Sequence, residues 1–209
     1  MAGQRIRVKI CGITRPEDAL AAARAGADAI GLVFHPDSPR YVTLAQARDI
    51  ARVAPPFVTV VALLVNASAE TIAAVLRDVR PALLQFHGDE DEAACRDYGV
   101  PFIKAIRMAP ELDPCVEAAR FPSAQGLLVD AWSPDAYGGT GKRFDWSRLP
   151  DSLDKPLILA GGLTPDNVAL AAARVRPWAV DVSGGVEAAP GIKDAVKVRS
   201  FIDNLNRGA

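Results

Sequence analysis

Residues 6–34, IRVKICGITRPEDALAAARAGADAIGLVF, decide the fold of this chain. An apolar, β-branched run at 6–11 is followed by an alanine-rich stretch of helical period at 17–25 and by a second apolar run at 29–34. Two short apolar runs separated by a helix predict a βαβ unit, in which the strands lie parallel and the helix packs on one face.

The same alternation continues to the end of the chain. The further predicted strands are residues 57–65, 82–86, 102–106, 126–130, 157–160 and 179–182. The further predicted helices are residues 44–53, 69–79, 90–98, 111–120, 165–174 and 194–206, and the segment 145–149 is the weakest helix candidate. Eight βα units in 209 residues predict the α/β class and a single (β/α)₈ TIM barrel domain over residues 1–209, with an open doubly wound sheet as the competing architecture.

The composition excludes several classes of protein. A hydrophobic fraction of 50% is enough for one core, and 24 basic against 25 acidic residues give no overall charge that would attract nucleic acid or an anionic membrane. No apolar run approaches the roughly 20 residues that span a bilayer. Three cysteines without metal-ligand spacing, and the lack of a secretory signal, predict a reduced, cytoplasmic protein.

The period-two pattern of the first, sixth and eighth strands places three side chains at one end of the barrel. Cys11, Asp130 and Ser183 fall on the faces that point into the barrel, at the carboxyl ends of their strands. Barrel enzymes keep their chemistry at this end. The pattern therefore predicts that Cys11 and Asp130 face one another across a small pocket as a base and an acid.

Cys11 alone would usually be a buried, inert cysteine. Its surroundings favour a base, because Lys9 lies on the same strand face and the next helix carries a capping-box pattern at Thr14 and Glu17, both of which could favour the thiolate. Such help matters, since an unperturbed thiol has a pKa of about 8.5. The two remaining cysteines, Cys95 and Cys115, lie in predicted helices and are interpreted as structural.

Asp130 closes an apolar strand and could be a helix cap, a loop ion pair or a general acid. The glycine- and proline-rich stretch 133–142 behind it is typical of an active-site loop and favours the general acid. Lys9 and Asp181 come from the first and eighth strands, which are neighbours in a closed barrel, so that we expect a buried ion pair. Asp181 remains a candidate for substrate contact as well.

Two glycine-rich turns follow the last two predicted strands, AGGLTP at 160–165 and DVSGGV at 181–186. Glycines let backbone N–H groups approach an anion, and Thr164 before Pro165 predicts a capped helix whose first donors point at the site. A single Gly-Gly is more often only a tight turn. Two of them in the place where barrels commonly bind phosphate predict a phosphorylated small-molecule ligand. The phosphate-binding candidates are Gly161, Gly162, Ser183, Gly184 and Gly185.

Arg40 lies in a loop that Pro36 and Pro39 stiffen after the second strand. A rigidly held arginine can bind a carboxylate through two hydrogen bonds, although a solvated surface arginine is the ordinary alternative. His35 and His87 are the only histidines, which is too few for a histidine-rich metal site, so no metal is predicted. Each histidine is either a hydrogen-bonding loop residue or a functional one.

Several segments, in their order along the chain, resemble the phosphoribosylanthranilate isomerase family of tryptophan biosynthesis. They are KICGIT at 9–14, SPRYV at 38–42, FHGDE at 86–90, GGTGKRFDW at 138–146, AGGLTPDNV at 160–168, VDVSGGVE at 180–187 and PGIKD at 190–194. The resemblance covers nearly the whole chain. Two departures stand out: Gly184 replaces a usual second serine, which keeps the backbone donors but removes a hydroxyl, and Phe86 replaces a usual leucine.

The resemblance implies a (β/α)₈ barrel that catalyses, without a cofactor, the Amadori rearrangement of N-(5-phosphoribosyl)anthranilate to the 1-deoxyribulose 5-phosphate isomer. Asp130 would be the acid that protonates the ring oxygen, Cys11 the base that removes the proton from C2, and Arg40 the holder of the anthranilate carboxylate. The further substrate-binding candidates are His87, Gly138, Gly139 and Asp181. The expected oligomeric state is a monomer or a homodimer.

Two other functions stay open at this point. Another phosphosugar isomerase or epimerase on the same barrel would carry histidine-rich metal ligands, or an aspartate in place of Cys11. A non-catalytic phosphoribosyl-binding module would keep the glycine turns without needing both Cys11 and Asp130.

Overall fold

Eight parallel strands close into a barrel in a computed structural model that describes residues 5–132, 144–150 and 153–208. The strands are β1 (Arg7–Cys11), β2 (Ala29–Val33), β3 (Thr59–Leu64), β4 (Leu83–Phe86), β5 (Phe102–Met108), β6 (Leu127–Ala131), β7 (Leu157–Leu159) and β8 (Ala179–Val182). Each strand pairs with its successor, and β8 pairs with β1. The predicted barrel is confirmed and the open sheet is wrong.

Helices connect the strands on the outside of the barrel. They are α1 (Pro16–Ala25), α2 (Leu44–Val53), α3 (Ala69–Asp78), α4 (Glu92–Cys95), α5 (Pro114–Arg120), α6 (Val168–Val175) and α7 (Ala195–Gly208). The weakest helix candidate is a single 3₁₀ turn at Trp146–Arg148, and a short hairpin of β9 (Glu187–Ala189) and β10 (Ile192–Lys193) follows β8. None of the described helices is both long and apolar enough to cross a bilayer.

The two predicted threonine caps are wrong, although α1 starts within one residue of its predicted start. The hydroxyl of Thr14 donates to the carbonyl of Gly191, and α1 begins without a side-chain cap. The carbonyl of Thr164 accepts from the N–H groups of Asn167 and Val168, so that a turn precedes α6 and Pro165 is not its first residue. The predicted helix donors at the β7 turn are therefore displaced along the chain.

The side chains of the strands alternate between two apolar layers, as the period-two pattern predicts. Ile6, Val8 and Ile10 pack outward in the large core between barrel and helices. A second cluster lies inside the barrel and consists of Ile103, Ala105, Leu128, Ile158, Ala160 and Ala179. Cys11 belongs to a third cluster with Val33, Leu63 and Val65 at the ends of the first three strands. This alternation directs Cys11 and Asp130 into the barrel.

Candidate active site

Two adjoining cavities lie at the carboxyl ends of the strands. One has a volume of about 410 Å³ and is lined by the glycine turns after β7 and β8. The other has a volume of about 80 Å³ and is lined by Cys11, His35 and His87, among others. Both cavities are bordered by Arg40, Asp130, Asp181 and Ser183. The structure thus brings the predicted base, acid and anion-binding turns into one continuous site.

Cys11 is buried, and its thiol is harder to ionise than the sequence suggested. Burial raises the pKa of Cys11, and the ammonium of Lys9 offsets this only in part. Lys9 is itself held in a buried ion pair, with Nζ 2.9 Å from Asp181 Oδ1. Burial lowers the pKa of Lys9, but Asp181 and Cys11 outweigh that effect and raise it. The predicted ion pair is confirmed. Lys9 favours the thiolate of Cys11, as predicted, but the effect of burial on the pKa is larger.

Gly31 is a site residue that the sequence did not indicate. It pairs with Cys11 in the register of β1 and β2. A Cβ at Gly31 would lie 2.8 Å from Cys11 Sγ and 3.0 Å from Lys9 Nζ, which is too close for either contact. The available signal was a glycine in the middle of a strand, which often marks a close approach.

Asp130 is buried at the end of β6, with its two oxygens in different surroundings. Its Oδ1 accepts the N–H of Ala131 at 2.7 Å, and its Oδ2 lies 3.3 Å from Nε2 of His87. Gly161 adopts φ +84°, and a side chain there would collide with Ala131 and lie 3.0 Å from Asp130 Oδ1. The β7 turn therefore packs directly against the candidate acid, and only glycine fits there.

His87 lies in the wall of the site. Its Nδ1 is 2.9 Å from Nε2 of Gln85, a side chain that is fully buried. Gln85 was not predicted as a site residue. Its signal was a polar residue within an apolar strand.

The two glycine turns lie against one another. Gly161 and Gly162 both have positive φ, and a side chain at Gly185 would overlap the carbonyl of Leu163 in the β7 turn. Gly184 opens a 3₁₀ turn after β8, and a Cβ there would lie 3.2 Å from Nη2 of Arg40. Such closely apposed backbone is suited to an anion, because N–H groups from both turns can approach it.

Arg40 is half-buried and ion-paired, so the interpretation as a solvated surface arginine is wrong. Its Nε and Nη2 donate to the two carboxylate oxygens of Glu187, each at 2.8 Å, and this pairing raises the pKa of Arg40. Lys193 Nζ also donates to Glu187, at 2.7 Å. Burial raises the pKa of Glu187, but these hydrogen bonds outweigh burial and hold it below its ordinary value.

Some predicted residues lie outside the described part of the chain, namely Gly138, Gly139 and the loop 133–142 around them. Within residues 5–132, 144–150 and 153–208, no group of three histidine, cysteine or acidic residues could hold a metal ion. Cys95 and Cys115 are free cysteines on α4 and α5, away from both cavities.

Comparison with known proteins agrees with this geometry. Residues 8–204 match the sequence model of the family described as N-(5'phosphoribosyl)anthranilate (PRA) isomerase. A Neisseria gonorrhoeae protein named N-(5'-phosphoribosyl)anthranilate isomerase is 56% identical over 204 residues, which are 98% of each chain.

Two solved structures extend the likeness. Phosphoribosyl anthranilate isomerase from Thermotoga maritima superposes with a TM-score of 0.85 at 41% identity, over 97% of this chain and 100% of that one. A phosphoribosyl anthranilate isomerase in complex with reduced 1-(o-carboxyphenylamino)-1-deoxyribulose 5-phosphate superposes with a TM-score of 0.81 at 39% identity, over the same shares. The chain therefore belongs to the N-(5'-phosphoribosyl)anthranilate isomerase family.

Proposed function

We propose that this chain catalyses the Amadori rearrangement of N-(5'-phosphoribosyl)anthranilate with Asp130 as general acid and Cys11 as general base. One observation carries the assignment: both side chains line the same small cavity, next to the larger one formed by the glycine turns. An aldose-to-ketose isomerisation needs an acid and a base on one reacting centre, and proton transfer from placed side chains is worth roughly 10²–10⁴ in rate.

The proposed acid and base act in sequence. Asp130 gives its proton to the ring oxygen of the phosphoribosyl group, the C1–O bond breaks, and the anthranilate nitrogen forms a protonated Schiff base with C1. Cys11 then takes the proton from C2, the C2–H electron pair forms the C1=C2 bond, and the C=N pair returns to nitrogen to give the enolamine. Protonation of C1 and loss of the C2 hydroxyl proton convert the enolamine to the ketone. The ammonium of Lys9 stabilises the thiolate that serves as base.

Substrate binding is divided between the two ends of the site. The turns at Gly161, Gly162, Ser183, Gly184 and Gly185 are the proposed phosphate site. Arg40 is the proposed partner of the anthranilate carboxylate: a guanidinium has five N–H donors, and only Nε and Nη2 bond to Glu187. Asp181, Gly138 and Gly139 stay as proposed substrate contacts.

The remaining proposals concern the whole chain. We expect one domain over residues 1–209, supported by the family match at 8–204. We expect no cofactor, no nucleic-acid partner and no membrane partner. Free Cys11, Cys95 and Cys115 support the reduced environment of the cytoplasm. A monomer or a homodimer is expected, to be decided by light scattering on the eluting protein.

The test is the loss of anthranilate-type fluorescence when purified protein meets phosphoribosylanthranilate made in situ. The wild type should convert it rapidly, and Cys11→Ala and Asp130→Asn should each be slower by roughly 10²–10⁴. Cys115→Ala is the matched control, because Cys115 is exposed on α5. Near-normal turnover in Cys11→Ala would refute the base. Binding of inorganic phosphate without any turnover would favour a different phosphosugar or a binding module.

A further inference from the structure

We propose that Gln85 and His87 are positioning residues for Asp130, and that they stabilise the carboxylate left when Asp130 gives up its proton. The inference rests on the proposed role of Asp130 as general acid. It starts from three side chains in a row: Gln85 Nε2 lies 2.9 Å from His87 Nδ1, and His87 Nε2 lies 3.3 Å from Asp130 Oδ2.

All three side chains in this row are buried, so each depends on its neighbours for hydrogen bonds. Gln85 is fully buried, His87 is 4% exposed and Asp130 is 7% exposed, so that bulk water contributes little to their hydrogen bonding. An unpaired polar atom in such a place destabilises the fold. Among the described residues, His87 Nε2 forms no hydrogen bond of good geometry, although it is buried and faces Asp130. The carboxylate of Asp130 lies 3.3 Å away and could accept its proton in a hydrogen bond.

The contact with Gln85 favours one position for the ring proton of His87, because Nε2 of an amide can only donate. An amide N–H that donates to Nδ1 makes Nδ1 an acceptor, and a neutral imidazole then holds its proton on Nε2. That proton points at Asp130 Oδ2. Because Ala131 N–H already serves Oδ1, the carboxylate of Asp130 would receive one donor on each oxygen.

The long separation of 3.3 Å suits a group that acts during the reaction. A protonated Asp130 gains little from a second donor, whereas its carboxylate gains a charge-assisted hydrogen bond. An interaction that strengthens as Asp130 loses its proton accelerates the chemical step and leaves ground-state binding unchanged. His87 therefore acts through Asp130.

Nitrogen NMR tests the proton position directly, without any substrate. The chain has only two histidines, so ¹⁵N-histidine labelling gives two imidazole spin systems, and His87→Asn assigns them. We expect His87 in the wild type as the Nε2–H form. In Gln85→Met, which removes the amide at similar volume, we expect a mixture of the two tautomers. A wild-type His87 with its proton on Nδ1 would overturn the proposal.

Kinetics give the second readout. Gln85→Met should lower kcat roughly ten- to hundredfold and leave KM within about twofold, as expected for the loss of a hydrogen bond that serves a charged group. Leu83→Met is the matched control, because Leu83 lies on the same strand and packs against the inner cluster. It should change neither kcat nor the NMR spectrum. A Gln85→Met enzyme with normal kcat, or with its whole defect in KM, would refute the positioning role.

The two proposals fail in different ways. A wild type that holds the Nε2–H tautomer but does not convert phosphoribosylanthranilate would overturn the proposed function. An active wild type with mixed tautomers would overturn only this inference. Thermal melts of Gln85→Met establish that kinetic losses come from folded protein, and the wild-type spectrum reports the tautomer in the unaltered site.

Discussion

Cys11 is a proposed base whose surroundings keep it protonated. The same burial that excludes water from Cys11 raises its pKa, and Lys9 cannot reverse this while Asp181 holds its ammonium. The resting site is thus built around a thiol. The thiolate needed for catalysis forms in a minority of molecules or during the reaction, which makes ionisation of Cys11 a measurable property of this enzyme.

Alkylation rates should reveal the raised pKa of Cys11, because only the thiolate reacts with iodoacetamide. At pH 7 we expect the exposed Cys115 to be modified first and Cys11 slowly. The rate at Cys11 should still be rising above pH 9. Burial raises the pKa of Cys95 to about 12, so Cys95 serves as the slow internal reference. Peptide mass spectrometry after timed labelling measures all three, and a fast, pH-independent reaction at Cys11 would contradict the prediction.

Gly31 should be as sensitive as the groups that perform the chemistry. Gly31→Ala forces Cys11 Sγ and Lys9 Nζ to move, since a Cβ would lie 2.8 and 3.0 Å from them. A displacement of about 1 Å in a reacting group costs roughly a hundredfold in rate, and we expect a loss of that order in kcat. The control is Gly99→Ala, where a side chain meets open space but φ is +70°. The control should lower the melting temperature and keep full activity, and the reverse pattern would refute the packing argument.

At the scale of elements, the strands were predictable and several helix ends were not. The strand faces follow from an apolar period of two, which the barrel needs on both sides of its wall. The cap of α1 was mispredicted because the hydroxyl of Thr14 bonds to the carbonyl of Gly191, a residue far along the chain. α4 begins only at Glu92 because Glu90, predicted to lie in this helix, instead pairs with Lys104 on β5 at 3.0 Å. It ends at Cys95, before Asp97, whose φ of +71° does not fit a helix. Local patterns do not contain such distant partners.

In the active site, too, contacts between residues far apart in the chain could not be predicted from local patterns. Cys11 and Asp130 were predictable because each ends a strand of clear period. Glu187 was not predicted as a site residue. Its partner Arg40 is 147 positions away, and no local sequence pattern near either residue indicates their ion pair. Gln85 was missed because its importance lies in a contact with His87 that needs coordinates to be seen. The sequence thus identified the proposed acid and base, and the structure adds the side chains that contact Asp130 and Arg40.

The hairpin of β9 and β10 should respond to acid through Glu187. The pKa of Glu187 is below its ordinary value in the folded state, so its pairing with Arg40 and Lys193 stabilises the fold above the unfolded pKa of about 4.5. That stability is lost as the pH falls through the folded pKa. The melting temperature of Glu187→Gln should therefore lie below that of the wild type at pH 7 and approach it below pH 4.5.

Exposed Glu17 on α1 provides the comparison for this acid response. Its ion pair with Arg15 lies at the surface, where such pairs contribute little, so Glu17→Gln should track the wild type at every pH. A gap between wild type and Glu187→Gln that stayed constant from pH 7 to pH 3.5 would show that Glu187 contributes through packing and not through its charge.

At the scale of the whole molecule, closure of the barrel depends on the seam between the first and last strands. β1 and β8 pair through four residues, and the ion pair of Lys9 with Asp181 lies within that seam and joins positions 172 apart. Their side chains are only 6% and 9% exposed. Removing one partner leaves a buried charge without a counter-ion, which lowers the stability of the fold strongly. Replacing both partners by apolar side chains of similar volume changes the stability much less.

The seam predicts a non-additive effect on folding. Lys9→Met should lower the free energy of unfolding by about 3–5 kcal/mol, because Asp181 stays buried without its counter-ion. The double variant Lys9→Met, Asp181→Leu should recover most of that loss, since both charges are gone and apolar volume replaces them. Urea denaturation with a shared slope measures each value, and activity cannot serve here because Lys9 borders Cys11.

The exposed ion pair of Arg5 and Asp28 is the control for the buried ion pair in the seam. The side chain of Arg5 is 65% exposed, so Arg5→Met should cost less than about 1 kcal/mol. If Lys9→Met cost no more than Arg5→Met, the buried pair would not hold the seam together. If the double variant were as unstable as Lys9→Met, the loss would lie in the packing around Lys9 and not in the uncompensated charge of Asp181. If the double variant regains the stability that Lys9→Met loses, the uncompensated charge of Asp181 is the cause of the loss. The barrel would then tolerate an apolar pair in this seam, although it has a charged pair there, next to its proposed base.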